Sequence, residues 1–87
     1  MNNLLEFYGT ECPFCIKMNE LLVRLEKEEG IKVERIEVWH NEENKKRLID
    51  ASNNLCDGVP FLLNTKTNKS ICGLDSYENV KKWAKGE

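Results

Sequence analysis

The feature that most restricts the fold of this chain is the sequence Cys-Pro-Phe-Cys at residues 12–15, which stands between a strand pattern and a helix pattern. Residues 4–8 form a short apolar run, interrupted by Glu6, that is typical of a strand. From Pro13 onward, apolar residues recur at helical spacing, and proline is well tolerated at the first position of a helix. The sequence therefore predicts that Cys12 lies at the amino-terminal tip of a helix.

The next elements follow from the same periodicities. Residues 31–39 are rich in β-branched and aromatic side chains and predict a second strand. Residues 42–52 predict a second helix, which Asn41 can cap. The predicted apolar face of the first helix comprises Phe14, Met18, Leu21, Leu22 and Leu25, with Gly30 ending the helix, and that of the second comprises Leu48, Ile49 and Ala51.

Two strands and a helix complete the chain. Residues 61–63 are apolar on both faces, which is typical of a central strand covered by helices on each side. Residues 70–72 predict its antiparallel partner across a turn at Asn68. Asp75 can cap the last helix, with Glu78 three residues later in a capping-box arrangement. The inward face of this helix comprises Tyr77, Val80, Trp83 and Ala84.

The order of elements is therefore β-α-β-α-β-β-α, which predicts an α/β fold. We expect the first β-α-β unit to be a right-handed parallel crossover and the last two strands to form an antiparallel hairpin. The simplest assembly is a four-stranded mixed sheet flanked by three helices, with helices on both faces. A chain of 87 residues can bury one modest core, so we expect residues 1–87 to form a single domain.

Composition and charge exclude several classes of protein. Apolar residues make up 40% of the chain and charged residues 32%, which is typical of a globular protein. The net charge is −2, and the basic cluster at residues 45–47 follows Glu42 and Glu43, which indicates a solvated helix face rather than a nucleic-acid site. No apolar run could span a bilayer and the first residues do not resemble an export signal. We expect a cytoplasmic monomer without nucleic-acid or membrane partners.

The position of Cys12 at a helix tip has a chemical consequence. Unpaired N–H groups and the helix dipole stabilise a thiolate over a thiol there, and a thiolate is the attacking species in disulfide exchange. We expect Cys12 to be exposed, and Cys15, one turn later on the same face, to be more shielded. This predicts an attacking and a resolving thiol, with Pro13 and Phe14 restricting the loop and offering an apolar contact to a partner.

The other two cysteines, Cys56 and Cys72, leave three interpretations open. Cys12 and Cys15 could supply half of a structural zinc site, which needs four ligands. Cys56, Cys72 and His40 do not have the spacing of a second half, so we predict no metal ligands. The two cysteines are either reduced, half-buried thiols or a second thiol pair, which requires Cα atoms within roughly 7 Å. The third interpretation is a metal or iron–sulfur binding module that combines them with Cys12.

Val59 and Pro60 come directly before the third strand. Proline cannot donate to a sheet ladder, so Pro60 fits the first position of that strand. An ordinary trans bond is compatible with this position. A cis bond would turn the Val59 backbone outward beside Cys12, where its N–H and C=O could pair with an extended substrate.

These motifs, in this order and spacing, resemble the glutaredoxins of the thioredoxin superfamily. The resemblance covers nearly the whole chain and rests on residues 8–15 (Tyr-Gly-Thr-Glu-Cys-Pro-Phe-Cys), 58–61 (Gly-Val-Pro-Phe) and 72–76 (Cys-Gly-Leu-Asp-Ser). It implies the minimal thioredoxin fold, a cis proline, Cys12 as nucleophile and Cys15 as resolving thiol. It also implies glutathione as a co-substrate, with no tightly bound cofactor, at a site made by Val59, Pro60, Gly73, Leu74, Asp75 and Ser76.

The sequence departs from the glutaredoxin pattern close to Cys12. Glutaredoxins often place Lys or Arg three residues before the first cysteine, where it helps to bind a carboxylate of glutathione; this chain has Gly9 there, and Glu11 directly before Cys12. We predict a thiol–disulfide oxidoreductase that reduces disulfide-containing proteins or glutathione mixed disulfides. Its electrons come from glutathione or, as an alternative, from a thioredoxin reductase.

Overall fold

A computed structural model of the chain describes residues 3–53, 56 and 58–87. Four strands and three helices follow one another in the predicted order: β1 (Leu4–Tyr8), α1 (Pro13–Glu29), β2 (Glu34–Glu37), α2 (Glu42–Ser52), β3 (Phe61–Asn64), β4 (Lys69–Cys72) and α3 (Tyr77–Lys85). Within the described residues, no helix is both long enough and apolar enough to cross a membrane.

The strands form a four-stranded mixed sheet in the order β2-β1-β3-β4, so β1 and β3 lie in its interior. The pairing of β1 with β2 is parallel and that of β3 with β4 is antiparallel, which confirms the predicted strand directions, and β1 is antiparallel to β3. Phe7 near the end of β1 is therefore paired with Phe61 at the start of β3, which is paired in turn with Cys72. This register brings the segments around Cys12, Pro60 and Gly73 to the same end of the sheet.

Apolar side chains pack on both faces of the sheet, so the prediction of helices on both faces is confirmed. One cluster, beneath α1 and α3, comprises Leu4, Met18, Leu22, Leu25, Val33, Leu62, Val80 and Trp83. The other, beneath α2, comprises Phe7, Ile36, Val38, Leu48, Cys56 and Phe61. Because side chains alternate along a strand, Glu6 shares with Leu4 the face that α1 covers.

The second strand is shorter than the predicted residues 31–39. Before β2 begins, the backbone N–H of Val33 donates to the Glu26 carboxylate at 2.9 Å rather than to a neighbouring strand. After β2 ends, the N–H of His40 donates to the Glu37 carboxylate at 2.8 Å and turns the chain. Local side-chain acceptors thus limit the strand at both ends.

The cap of α3 also differs from the prediction. Ser76, not Asp75, is the N-cap residue, and its hydroxyl accepts the backbone N–H of Asn79 at 3.2 Å. The Asp75 carboxylate instead accepts the N–H of Ser76 at 2.7 Å, so it stabilises the turn one residue earlier.

Two side chains that we expected on apolar helix faces point to solvent. Phe14 is 58% exposed and Ile49 is 44% exposed. The row of residues that faces the sheet includes Cys15 in α1, three residues before Met18, and Ser52 in α2, four residues after Leu48. A one-residue shift along a helix turns a side chain by about 100°, which accounts for both differences.

Candidate active site

Cys12 is the N-cap residue of α1. Its backbone is extended (φ −80°, ψ 116°), and its sulfur accepts a hydrogen bond from the backbone N–H of Cys15, with 3.1 Å between the two atoms. Pro13 then occupies the first helical position. An N-cap acceptor satisfies an otherwise unpaired N–H and lies at the positive end of the helix dipole. The Cys12 sulfur thus receives a backbone N–H at the amino terminus of the helix.

Cys12 is more deeply buried than the sequence predicts. Both Cys12 and Cys15 are reduced and only 3% exposed, although we expected Cys12 to be open to solvent. The cause is the segment before β3, because the Cys12 sulfur lies 3.8 Å from the carbonyl oxygen of Val59. The Cys12 sulfur is therefore approached alongside Val59, and the exposed ring of Phe14 lies close by at the start of α1.

Cys15 is held as a neutral thiol. Burial raises the pKa of its thiol to about 12; a hydrogen bond with the Cys12 side chain acts in the same direction, and one with the Gly9 backbone opposes it. The two sulfurs are equally buried, but only that of Cys12 receives the N–H at the helix tip. The pair is thus chemically asymmetric, as an attacking and a resolving thiol must be.

A buried carboxyl group lies behind the cysteine pair. Glu6 is 1% exposed, and its Oε2 atom has no hydrogen-bond partner among the described residues. Burial raises the pKa of this carboxyl to about 7, although the charge of Arg35 opposes the rise. Glu6 and Cys15 line the same cavity, which has a volume of about 280 Å³. The two groups are close enough to interact electrostatically, because the charge of Glu6 contributes to the raised pKa of the Cys15 thiol.

The sequence motifs do not include Glu6, but a carboxylate within an apolar strand is a signal that could have identified it as a candidate functional residue. It interrupts an apolar strand in the interior of the sheet, and carboxylates are rarely buried there unless they are paired. Its cross-strand neighbour Arg35 is engaged elsewhere, in two hydrogen bonds of 3.0 and 3.1 Å with the Glu26 carboxylate. Carboxyl groups with a perturbed pKa are concentrated at functional sites.

Trp39 fills the space above Gly9. A Cβ atom built on Gly9 would lie 2.2 Å from Cδ2 of the Trp39 indole, so any larger residue at position 9 would displace the ring. The ring is nevertheless 52% exposed. The indole thus forms an aromatic wall beside Gly9, three residues before Cys12.

The loop before Cys12 is tied to the end of β2 by two carboxylates. Glu37 accepts the N–H and hydroxyl of Thr10, at 3.1 and 3.0 Å. Glu11 binds the His40 ring at 2.8 Å, and this contact raises the pKa of His40. The acidic neighbour of Cys12 is therefore engaged by a side chain that becomes cationic on protonation.

The peptide bond between Val59 and Pro60 is cis. The Pro60 carbonyl accepts the N–H of Gly73 at 2.8 Å, which joins this segment to the end of β4. Gly73 has a φ of +94°, a conformation that favours glycine. Val59, Pro60 and Gly73 are thereby brought together on the side of α1 where Cys12 lies.

The turn after Gly73 leads into α3. Leu74 is 41% exposed, whereas Asp75 is half-buried. The Asp75 carboxylate accepts hydrogen bonds from the N–H of Ser76 and, at 2.8 Å, from the side chain of Asn79. The turn thus presents an exposed apolar side chain beside an ordered carboxylate and a capped helix terminus.

Cys56 and Cys72 are joined by a disulfide bond, with their Cα atoms 5.8 Å apart. Of the interpretations left open by the sequence, the structure has the bonded pair and not two reduced thiols. As a disulfide, the pair offers no thiolate to a metal ion, so a metal module that combines it with Cys12 is not supported. In the parts of the chain that the structure describes, no three His, Cys, Asp or Glu side chains are grouped to hold a metal.

Comparisons with known proteins show which solved structures this fold resembles. No protein-family model and no curated protein sequence matches the chain. Among solved structures, a mutant of the thioredoxin-like protein BC3987 is 16% identical with a TM-score of 0.74, and all of both chains is covered. Glutaredoxin (grx-1) from Archaeoglobus fulgidus is 26% identical, with a TM-score of 0.69 over 99% of this chain and 89% of that one. Wheat glutaredoxin is 22% identical, with a TM-score of 0.66 over 98% and 74%.

These similarities extend over nearly the whole chain. The protein has the fold of the thioredoxin superfamily, and its structure is similar to those of two glutaredoxins. The four-stranded mixed sheet with three helices is the minimal form of the thioredoxin fold.

Proposed function

We propose that this protein is a thiol–disulfide oxidoreductase in which Cys12 and Cys15 form the redox pair. The observation that carries the proposal is the hydrogen bond from the Cys15 N–H to the Cys12 sulfur. It favours a thiolate on one of two cysteines whose spacing allows a disulfide. The two glutaredoxins among the structural neighbours support the same class of activity.

In the first step, the Cys12 thiolate attacks one sulfur of a substrate disulfide. A bond forms between these two sulfurs, the substrate S–S bond breaks, and the other substrate sulfur leaves as a thiolate that takes a proton from solvent. The Val59 backbone, whose carbonyl lies beside Cys12, can pair with the extended chain around the substrate cysteine.

In the second step, Cys15 resolves the mixed disulfide. Its thiol gives its proton to the Glu6 carboxylate through the cavity that both groups line. The Cys15 thiolate then forms a bond with the Cys12 sulfur, the mixed disulfide breaks, and the substrate sulfur leaves as a thiolate that takes a proton from solvent. The protein is oxidised to the Cys12–Cys15 disulfide and the substrate gains two electrons. A carboxyl with a pKa of about 7 suits this step, because it accepts and returns a proton near neutral pH.

We propose glutathione as the co-substrate that restores the dithiol, with two molecules oxidised to glutathione disulfide in each cycle. Its cysteine would bind along Val59 and Pro60, and its γ-glutamyl end at the turn formed by Gly73, Leu74, Asp75 and Ser76. A turn that leads into a helix N-terminus suits a carboxylate, and the Asp75 carboxylate suits an ammonium group. Disulfide-containing proteins are the other proposed partners.

A thioredoxin reductase is a second candidate for the electron source. The observation that favours it is the packing of Trp39 over Gly9, which places an indole where a glutathione-binding cation often stands. Glu11 adds a carboxylate next to Cys12. An apolar wall with an acidic neighbour suits contact with a protein surface better than binding of a free tripeptide carboxylate.

Steady-state reduction of a small glutathione mixed disulfide tests both candidates. NADPH consumption is followed with glutathione and its reductase, and separately with thioredoxin reductase, for the wild type and for Cys12→Ser. We expect turnover with glutathione that depends on Cys12. Turnover with thioredoxin reductase alone would favour the second candidate. If the wild type shows no turnover with either source, or no more than Cys12→Ser, the oxidoreductase proposal is wrong.

A further inference from the structure

The Cys56–Cys72 disulfide connects the two segments that border Cys12. Cys56 lies three residues before Val59, whose carbonyl oxygen contacts the Cys12 sulfur, and Cys72 directly precedes Gly73. The sulfur of Cys56 is 3.4 Å from the carbonyl oxygen of Gly58. The disulfide therefore fixes a point next to the backbone that would bind a substrate.

The two ends of this disulfide differ in accessibility. Cys56 is 6% exposed and belongs to the apolar cluster beneath α2, whereas Cys72 is exposed at the end of an edge strand. A thiolate from solvent can therefore approach Cys72 far more readily than Cys56. Attack at Cys72 makes Cys56 the leaving group, and its thiol, once protonated, has the Gly58 carbonyl within reach as an acceptor.

A cavity of about 380 Å³ adjoins both cysteines. It is bordered by the end of α2, at Ser52 and Asn53, and by β4, at Ser70. Its polar rim and its volume suit a small hydrophilic thiol rather than a protein segment. This cavity is separate from the one that Glu6 and Cys15 line.

We propose that Cys56 and Cys72 form a second thiol–disulfide site, which low-molecular-weight thiols reduce at Cys72. A first thiolate forms a bond with the Cys72 sulfur; the Cys56–Cys72 bond breaks, and the Cys56 sulfur takes a proton. A second thiol attacks the small-molecule sulfur of this mixed disulfide, and Cys72 leaves as a thiol. Two thiols are thereby oxidised to one small-molecule disulfide, and the protein disulfide is reduced to a dithiol.

Reduction of this site changes the restraint on the Val59 segment. Without the cross-link, the segment has more freedom and must be ordered each time a substrate pairs with it, which weakens binding. The second site therefore tunes substrate affinity at Cys12 according to the thiol redox state. This consequence rests on the proposed function, whereas the redox activity of Cys56 and Cys72 does not.

The Cys12→Ser/Cys15→Ser double variant tests the second site alone, because Cys56 and Cys72 are then its only cysteines. The native variant is equilibrated with glutathione buffers of rising reduced-to-oxidised ratio, quenched with acid, alkylated and analysed by mass spectrometry. We expect both thiols to appear together and reversibly, with a glutathione adduct at Cys72 as the intermediate. The proposal is overturned if the two thiols stay free after oxidation or become accessible only in denaturant. A glutathione adduct at Cys56 instead of Cys72 would also overturn it.

Steady-state kinetics of Cys72→Ser tests the link to Cys12. This substitution changes an exposed residue and leaves Cys56 in its apolar cluster; Lys69→Ala, on the same strand, keeps the disulfide and serves as control. At a glutathione ratio where the thiol titration shows the wild-type Cys56–Cys72 disulfide to be intact, we expect KM for a disulfide substrate to rise about three- to tenfold with little change in kcat. An unchanged or lower KM would overturn the link. Failure of the wild type to turn over would refute the proposed function, while the thiol titration would still decide the second site.

Discussion

The backbone N–H of Cys15 donates to the sulfur of Cys12, with 3.1 Å between the two atoms. One hydrogen bond therefore connects the two cysteines that we propose to act in successive steps of disulfide exchange. The acceptor is the N-cap atom of α1, where negative charge is stabilised. The donor residue keeps its own thiol protonated, because burial raises the pKa of Cys15. A single helix terminus thus distinguishes the sulfur that we propose to attack from the one that we propose to resolve.

Glu6→Gln is expected to change the pH dependence of stability. The folded carboxyl has a pKa of about 7 against 4.5 for an unperturbed group, so between these values the folded protein binds a proton that the unfolded chain releases. The free energy of unfolding should therefore fall as pH rises from about 4.5 to about 7, by about 3 kcal/mol. Glutamine does not ionise, so the variant should lack this fall.

Urea unfolding at a series of pH values from about 4 to about 8 measures the difference in the free energy of unfolding between Glu6→Gln and the wild type. Glu20→Gln, an exposed substitution on α1, is the matched control, because its carboxyl stays in water in both states. A difference that is constant across this range for Glu6→Gln would show that the buried carboxyl does not behave as described.

The same substitution should slow the resolving step. Without the carboxylate, the Cys15 thiol has lost its nearby proton acceptor, so dithiol turnover should fall about 10²-fold near neutral pH. The inflection of the rate near pH 7 should disappear as well. In a Cys15→Ser background, where no resolving thiol remains, Glu6→Gln should have no effect on the monothiol reaction. An equal loss in both backgrounds would mean that Glu6 acts on structure rather than on Cys15.

Gly9→Ala should destabilise the protein through its contact with Trp39. The new Cβ would lie 2.2 Å from the indole, so the ring or the loop must move, and overpacking of this kind costs about 1–3 kcal/mol. In a Trp39→Ala background the cost should fall below about 1 kcal/mol, since the obstructing ring is gone. A double-mutant cycle by urea unfolding gives both values, and equal costs in the two backgrounds would contradict the packing described.

Much of the fold could be predicted because local patterns and tertiary structure agree. The apolar run of β3, the helical spacing of Met18, Leu22 and Leu25, and the turn at Asn68 each indicate the element that is present. The order of elements then leaves few sheet topologies. The end of β2 was predicted less well, because Glu37 accepts N–H groups from His40, three residues later, and from Thr10, which is distant in sequence, and side-chain contacts of this kind leave no periodicity in the sequence.

The sequence indicates candidate residues for the site but not the surroundings in which the structure places them. The spacing of Cys12 and Cys15 follows directly from the helix, whereas the burial of Cys12 depends on Val59, which is distant in sequence. The role given to Glu6 depends on the sheet order and on the cavity it shares with Cys15. Burial and shared cavities depend on contacts between segments that are distant in sequence, and local sequence patterns do not reveal such contacts.

The most direct test of the central claim compares Cys12→Ser with Cys15→Ser, two equally conservative changes at sites of equal burial. The measurement is the reduction of a glutathione mixed disulfide and of a protein disulfide, with the electron source that supports the wild type. We expect Cys12→Ser to abolish both reactions. We expect Cys15→Ser to lose the dithiol reaction with the protein disulfide but to retain the monothiol reaction with the glutathione mixed disulfide. Substantial dithiol activity in Cys12→Ser, or the reverse order of effects, would contradict the assignment of Cys12 as the attacking thiol.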